Sequence, residues 1–220
     1  MVVKLYAGAR VSGGSSIVAT VLLAKNIPYE HILVDVPGKQ NKGPEHLAIH
    51  PFGQIPVLDD NGFILYETRA ICKYLENKYP GHGQQLAPVP TDAEGQAIFD
   101  QMLSVEVNNF YRPMFKIVQE VVFNRLFGIE ANQTNIDQGV KDLGTTLDVY
   151  ETVLAKQKYL TGGQISLVDL YHLIYTPGLA PAGVDIMTRP ERPNVTRYFA
   201  PLLYSPILCL SSVGVGGGMT

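Results

Sequence analysis

Gln54-Ile55-Pro56 stands just before an apolar run and could bind an extended peptide. Proline has no N–H to donate to a sheet and is confined to strand edges, strand starts and bulges. A cis Ile55-Pro56 bond would turn the N–H and C=O of Ile55 outward, where they could pair with a peptide backbone. A proline that only marks the start of a strand is the alternative, and this stretch alone leaves both interpretations open.

Glu67-Thr68 lies where an apolar run ends and a helical pattern begins. The free N–H groups and the positive dipole end of a helix N-terminus bind carboxylates, and the Thr68 hydroxyl adds a donor. Glu67 could pair with an ammonium group, so a γ-glutamyl head, which carries both groups on one carbon, would fit. A plain helix cap is the simpler interpretation of these two residues taken alone.

The elements that must position these residues begin with a βαβ unit. Residues 3–7 alternate as a strand, Gly8 to Gly14 form a glycine-rich and serine-rich loop, and residues 15–26 follow the helical period. Tyr29 to Val34 reads as a second strand, and the crossover makes the two strands parallel neighbours.

A hairpin and a helix follow. Pro44-Glu45 could open a short helix, and Asn61-Gly62 between two apolar runs is a strong hairpin signal. Residues 67–79 then read as a helix that ends at Pro80-Gly81. The order βαβ-α-ββα predicts a thioredoxin-like domain with a mixed four-stranded sheet.

The second half of the chain is helical in pattern. Residues 81–91, rich in proline and glycine, are the predicted linker between a domain at 1–80 and an all-α domain at 92–212, with a flexible tail at 213–220. We predict helices over four ranges: 92–126, 136–156, 166–176, the third opened by a capping box at Ser166, and 194–203.

Composition narrows the classes of function. A formal charge of -3 over 220 residues gives no basic surface, so nucleic acid is not an expected partner. The apolar runs are too short to span a bilayer, and the N-terminus lacks the pattern of a signal peptide, so we expect no membrane contact and a cytoplasmic protein. Cys72 and Cys209 are far apart with no CxxC spacing, which predicts neither a disulfide framework nor a metal site.

The stretch PFGQIPVLDDNGFILYETRAICKYLENKY resembles the glutathione-binding half of phi-class glutathione transferases. KLYAGARVSGGSSIVATVLLAKNIPYE and NKGPEHLAIHPFGQIP extend the resemblance through residue 79, and YLTGGQISLVDLYHL is similar to the family's helical domain. The resemblance implies a glutathione transferase (EC 2.5.1.18-like) with glutathione as co-substrate and no metal.

The resemblance also implies a catalytic serine. Phi-like members carry a serine six residues before a valine, and Ser12 stands six before Val18. Its hydroxyl would donate to the glutathione sulfur beside a helix N-terminus, and both effects favour the thiolate. Tyr6, at the position used by tyrosine-type transferases, and Ser15 are the alternatives. No cysteine occupies this loop, which argues against thiol-exchange members of the family.

The implied glutathione contacts fall into three groups. Asn41 and Lys42 would bind the glycyl carboxylate. Gln54, Ile55 and Pro56 would bind the cysteinyl backbone, and Glu67 with Thr68 would bind the γ-glutamyl end. Asn41 departs from the family pattern, which has a histidine before the lysine.

The family architecture implies that the long helix supplies an apolar pocket. Its candidate residues recur at helical spacing: Phe110, Tyr111, Met114, Phe115 and Val118. Because an aromatic stripe is also typical of a core, we expect these residues to serve both purposes. The resemblance suggests a homodimer with Phe52 as an anchor.

Three functions are consistent with the sequence. The first is conjugation of glutathione to apolar electrophiles, with peroxide reduction as a further activity. The second is a ligandin that holds apolar small molecules with weak or no turnover, and the third is a scaffold without chemistry. The full set of implied glutathione residues favours the first two.

Overall fold

The computed structural model describes residues 2–9 and 13–203. It divides into two compact units, the first ending at Leu86 and the second beginning at Ala87. Ser12 and the predicted tail at 213–220 lie outside the described residues. None of the helices within those two ranges combines the length and the apolar character needed to cross a membrane.

The first unit is a four-stranded mixed sheet with three α-helices. Its elements are β1 (Val3–Ala7), α1 (Gly14–Ala24), β2 (Tyr29–Leu33), α2 (Pro44–Ile49), β3 (Val57–Asp60), β4 (Phe63–Tyr66) and α3 (Thr68–Lys78). The strand order is β2-β1-β3-β4, in which β1 pairs parallel to β2 and antiparallel to β3, and β3 pairs antiparallel to β4. The predicted thioredoxin-like arrangement is confirmed.

Local sequence signals account for most of this unit. Ile17, Val18, Val21 and Leu22 of α1 are buried, as their helical spacing predicts. The β3–β4 turn has positive φ at both Asn61-Gly62 positions, 57° and 90°. Asparagine and glycine adopt this conformation more readily than other residues, so the turn residues set the hairpin register.

The second unit is helical. Its α-helices are α4 (Ala93–Val105), α5 (Arg112–Val118), α6 (Gln133–Leu154), α7 (Leu167–Tyr171) and α8 (Pro193–Leu203). The π-helical segments Glu106–Tyr111 and Gln119–Asn124 join α4 and α5 into one continuous helix to Asn124, as the predicted long helix requires. The helical period did not indicate the π-helical turns.

The helix predicted over 166–176 is shorter in the structure, where α7 ends at Tyr171. The capping box of Ser166 and Asp169 is present at its start. Beyond it, the ring Nδ1 of His172 lies 2.7 Å from the Val168 carbonyl, and the Thr176 hydroxyl donates to the His172 carbonyl. These side chains engage carbonyls that a continuing α-helix would use, so the chain tightens into turns and a short 3₁₀ helix at Thr176–Gly178.

Candidate functional site

Three segments of the first unit converge at one place: the start of α1, the loop before β3 and the start of α3. A Cβ built on Gly14 would lie 2.2 Å from Oγ1 of Thr68 and 3.4 Å from Cδ of Pro56. Real Cβ atoms do not approach other atoms as closely as the first distance. Glycine at position 14 therefore lets two helix N-termini and Pro56 lie against one another.

The start of α3 has an unusual backbone. Glu67 is the N-cap residue with φ 74° and ψ 114°, and its side chain is exposed and makes no capping hydrogen bond. Positive φ in a residue other than glycine costs on the order of 1–3 kcal/mol and clusters at functional sites. Because no side chain caps α3, the positive end of its dipole is suited to an anion.

The start of α1 carries a serine hydroxyl of unusual character. Ser15 is 1% exposed, and its Oγ has no hydrogen-bond partner within residues 2–9 and 13–203. The neighbouring Ser16 donates to the Gly13 carbonyl at 2.7 Å, as a residue in a first helical turn commonly does. A buried hydroxyl left without a partner costs about 1–3 kcal/mol of stability, and such groups are rare in folded proteins. Ser15 is therefore a candidate for a role in binding or chemistry.

Tyr6, the other alternative to Ser12, lies in the middle of the sheet. It pairs with Ile32 on β2 and with Val57 on β3. Its side chain is half-buried, while its neighbours Leu5 and Ala7 are buried on the opposite face. The phenol therefore belongs to the face of β1 that is not fully covered.

The loop before β3 presents an unpaired backbone. Ile55-Pro56 is cis, one of the two interpretations that the sequence left open. Over the described part of the chain, neither the N–H nor the C=O of Ile55 makes a hydrogen bond. A half-buried residue with both groups free can pair with an extended peptide.

Three side chains hold this loop by its carbonyl groups. Lys42 Nζ donates to the Phe52 carbonyl at 2.9 Å, and Asn41 Nδ2 donates to the Gly53 carbonyl at 2.8 Å. His46 Nε2 lies 2.7 Å from the Gln54 carbonyl. Asn41 is buried, whereas Lys42 is exposed and keeps further ammonium protons for a ligand.

Sequence reasoning missed His50, which lies just before this loop. Its ring stacks on Tyr66 with 4.5 Å between ring centroids. Because stacking joins residues of different elements, nothing in the local sequence indicated it. Among the described residues no cluster of three or more His, Cys, Asp and Glu side chains could hold a metal ion.

The five residues predicted to line an apolar pocket separate into two groups in the second unit. Phe110, Met114 and Val118 are buried in its core. Tyr111 and Phe115 are half-buried and stack with ring centroids 5.6 Å apart. Phe115 also contacts two aromatic residues that sequence reasoning missed, Phe123 at 6.0 Å and Tyr175 at 5.8 Å. We call Tyr111, Phe115, Phe123 and Tyr175 the aromatic cluster.

Both halves of the chain match one protein family. Residues 7–83 match the glutathione S-transferase N-terminal domain, and residues 108–206 match the C-terminal domain. The chain is 44% identical over 204 residues to glutathione S-transferase hmp2 of Hypomyces subiculosus, covering 92% of this chain and 93% of that protein.

Solved structures agree. Glutathione transferase F7 from Populus trichocarpa superposes with a TM-score of 0.88 at 34% identity, covering 98% of this chain and 100% of that one. Glutathione S-transferase I from maize, in complex with an atrazine glutathione conjugate, gives a TM-score of 0.85 at 29% identity over 100% of both chains.

Proposed function

The chain belongs to the glutathione S-transferase family and has glutathione transferase activity, and from this premise we propose that it ionises the glutathione thiol for attack on apolar electrophiles. The observation that carries the proposal is the convergence of Gly14, Pro56 and Thr68 in the first unit. It brings two helix N-termini to a loop whose Ile55 backbone is unpaired, and a small acidic peptide suits such a place.

The proposed binding mode assigns each part of glutathione to one segment. The cysteinyl backbone pairs with Ile55 next to Gln54 and Pro56, and the γ-glutamyl carboxylate lies at the start of α3 beside Thr68. Glu67, exposed at the N-cap, pairs with the ammonium group. The positive φ of Glu67 supports this assignment, since strained backbone is retained where it aims a functional group.

The glycyl carboxylate is assigned to Lys42, with Asn41 in support. Lys42 already donates to the Phe52 carbonyl, and an ammonium group has two further protons to donate. The amide of Asn41 is buried against the Gly53 carbonyl. We therefore propose that Asn41 acts mainly by fixing the loop and Lys42 mainly by its charge.

Activation of the thiol is the chemical step. A free cysteine thiol with a pKa of about 8.5 is only about 3% ionised at pH 7. Lowering this pKa by about 2 units, or about 2.7 kcal/mol, makes the thiolate the major form. The thiolate then attacks the electrophilic carbon and a C–S bond forms. In a chlorinated nitrobenzene, chloride departs with its bonding electron pair, and in an isothiocyanate the electrons of the C=N double bond move to nitrogen, which takes up a proton.

A hydroxyl donor and the dipole of α1 would supply this stabilisation. We keep Ser12 as the first candidate and Ser15 and Tyr6 as alternatives. The buried Ser15 hydroxyl, which has no partner among residues 2–9 and 13–203, supports it as a donor that needs an acceptor. Glutathione would be an activated external nucleophile, with no covalent enzyme intermediate.

The aromatic cluster of the second unit supports an apolar, flat co-substrate. Half-buried rings offer contact area of this kind at low entropic cost. The same observation supports the second candidate, a ligandin with weak turnover. Peroxide reduction is a further activity for the same thiolate. The thiolate attacks a peroxide oxygen, the O–O bond breaks to give a sulfenic acid and an alcohol, and a second glutathione then displaces water to form the disulfide.

A homodimer is also proposed. Phe52 is 66% exposed in a loop that three side chains hold in place, which suits an anchor at an interface. Sedimentation of the wild type and of Phe52→Ser tests this directly. A monomeric wild type would rule it out.

Serine and tyrosine variants test the mechanism. Steady-state rates with a chlorinated nitrobenzene and an isothiocyanate are compared for Ser12→Ala, Ser15→Ala and Tyr6→Phe, alongside glutathione affinity by calorimetry. We expect Ser12→Ala to lower kcat by about 10²-fold, the size of one lost donor to a developing anion, with affinity nearly intact. A silent Ser12→Ala beside a damaging Ser15→Ala or Tyr6→Phe would move the catalytic role to that residue. No turnover by the wild type, together with tight displacement of an apolar dye, would favour the ligandin.

A further inference from the structure

The ring of His50 is buried in the first unit, where it contacts two other aromatic rings. The residue is 2% exposed, and its ring lies 4.5 Å from that of Tyr66 with 27° between the planes. The ring of Phe52 meets it edge-on, with centroids 6.2 Å apart. His50 is thus in contact with both the loop before β3 and the end of β4.

These contacts join two segments to which glutathione contacts are assigned. The His50 carbonyl accepts from Gly53 N–H at 2.7 Å, so the residue fixes the start of the loop that continues to Gln54 and Ile55. Tyr66, which stacks on the ring, directly precedes Glu67. A change of the His50 ring therefore affects both segments, through Phe52 in the loop and through Tyr66 before Glu67.

The His50 ring places a polar nitrogen at a buried position where a purely hydrocarbon ring would pack equally well. Nδ1 of His50 is buried and makes no hydrogen bond to any residue in the ranges 2–9 and 13–203. Buried polar atoms are normally satisfied, and phenylalanine would fill a similar space without an orphaned nitrogen. A buried histidine at this position is explained if protonation of its ring has a function that phenylalanine could not supply.

We propose that His50 is a positioning residue for glutathione, and that its neutral ring holds the Gln54 loop and the start of α3 in the binding arrangement. The inference rests on the proposed function, because it concerns the same site. His50 touches neither reacting atom and acts through the loop and through Tyr66.

The charges around the ring give the direction of the effect. Burial lowers the pKa of His50 below its ordinary value of 6.5, the Glu67 carboxylate opposes this, and His46 and Lys42 add to it. Protonation would add a second N–H to the ring, on a buried nitrogen for which the described residues provide no acceptor. The neutral, binding form is therefore complete above pH 6.5, and it is lost as the pH falls below this value and through the lowered pKa of the folded protein.

Titrations of the full chain with S-methylglutathione between about pH 5 and pH 8 test the inference, because an ordinary histidine changes charge in this range. The variants are His50→Phe, which keeps the ring, His50→Ala, which removes it, and His82→Phe, an exposed histidine of the same unit, as the control. A ligand without a thiol is needed, because a bound thiol whose pKa is lowered by about 2 units would itself change charge in this range and mask the effect of His50.

We expect wild-type affinity to fall toward pH 5, and His82→Phe to follow the same profile. His50→Phe should bind like the wild type at neutral pH and lose this fall. His50→Ala should bind about tenfold more weakly at neutral pH, or about 1.4 kcal/mol, and raise KM for glutathione with kcat unchanged at saturation.

Two results would overturn the inference and leave the proposed function intact: His50→Phe that keeps the fall toward acid pH, or His50→Ala that lowers kcat at unchanged KM. If His50→Ala does not fold, the profile of His50→Phe decides. A wild type that fails to bind glutathione at any pH would overturn the proposed function itself.

Discussion

Lys25 and Glu76 form a buried ion pair of 2.8 Å between the carboxyl-terminal ends of α1 and α3. At the other ends of the same helices, Gly14 lies against Thr68. The two helices are thus parallel neighbours, fixed at both ends. Their N-termini, each the positive end of a helix dipole, are held side by side at the proposed glutathione site.

Breaking this ion pair on one side should destabilise the protein strongly. We expect Glu76→Gln or Lys25→Met to lower the free energy of unfolding by about 3–5 kcal/mol, because each leaves a buried charge unpaired. Glu76→Gln also perturbs the acceptor of the Leu86 N–H. Urea unfolding monitored by circular dichroism measures the loss.

The double variant and a surface pair are the controls. Lys25→Met with Glu76→Leu should cost less than the sum of the single changes, because no charge remains. Asp148→Asn removes the negative charge opposite Arg192 in a pair whose aspartate is 67% exposed, and it should cost about 0–1 kcal/mol. Additive losses at Lys25 and Glu76 would show that the pair is not coupled.

Gly14→Ala should strain the junction of α1 and α3. The new methyl group would collide with Thr68 Oγ1, and overpacking of this kind costs about 1–3 kcal/mol. We expect weaker glutathione binding as well, because the helix N-termini must move apart. Thermal unfolding and calorimetric titration measure the two effects.

Thr68→Ala completes a double-mutant cycle. It removes the hydroxyl that Gly14→Ala strikes, so the double variant should be nearly as stable as Thr68→Ala alone, while its glutathione affinity stays low. If Gly14→Ala is harmless to both stability and binding, the close approach is not needed for the site.

The glycyl end of the site gives a third prediction. Asn41→Ala removes the donor to the Gly53 carbonyl, and Lys42→Ala removes both a donor and a charge. We expect both variants to raise KM for glutathione with kcat nearly unchanged, since they affect binding and not the sulfur. Lys42→Ala should lose affinity by about 1.5–3 kcal/mol, the range for charged hydrogen bonds.

The dependence of glutathione affinity on ionic strength distinguishes the role of Lys42 from that of Asn41. The loss in Lys42→Ala should shrink at high ionic strength, because exposed charges are screened, and that in Asn41→Ala should not. Lys39→Ala, which removes the charge of an exposed lysine in the same turn, is the control and should retain wild-type KM. A fall in kcat with unchanged KM in either variant would contradict the assignment.

The elements and the turn were predictable because their signals are local. The buried face of α1 follows from the spacing of Ile17, Val18, Val21 and Leu22, and the β3–β4 hairpin follows from Asn61-Gly62. The early end of α7 was not predictable, because it depends on carbonyl contacts made by His172 and Thr176 in the folded chain.

The residues proposed to contact glutathione were predictable from the sequence, whereas the contacts that hold them in place were not. Family resemblance drew attention to Asn41, Gln54 and Thr68, but contacts such as His46 with the Gln54 carbonyl and His50 with Tyr66 arise only when separate elements meet. Phe123 and Tyr175 were missed for the same reason, since they join Phe115 from positions far apart in the sequence.

The two groups of aromatic residues in the second unit should respond differently to truncation. Phe110 is buried and stacks near Tyr150 and Phe199, so Phe110→Ala should lower the free energy of unfolding by about 3–5 kcal/mol. Phe115 is half-buried in the aromatic cluster, so Phe115→Ala should cost less stability and weaken binding of a flat apolar ligand. Displacement of a fluorescent apolar dye and urea unfolding measure both quantities. Phe115→Leu, which keeps apolar volume without the ring, separates stacking from simple burial: if it binds the dye as well as the wild type, the ring faces are not what the ligand contacts.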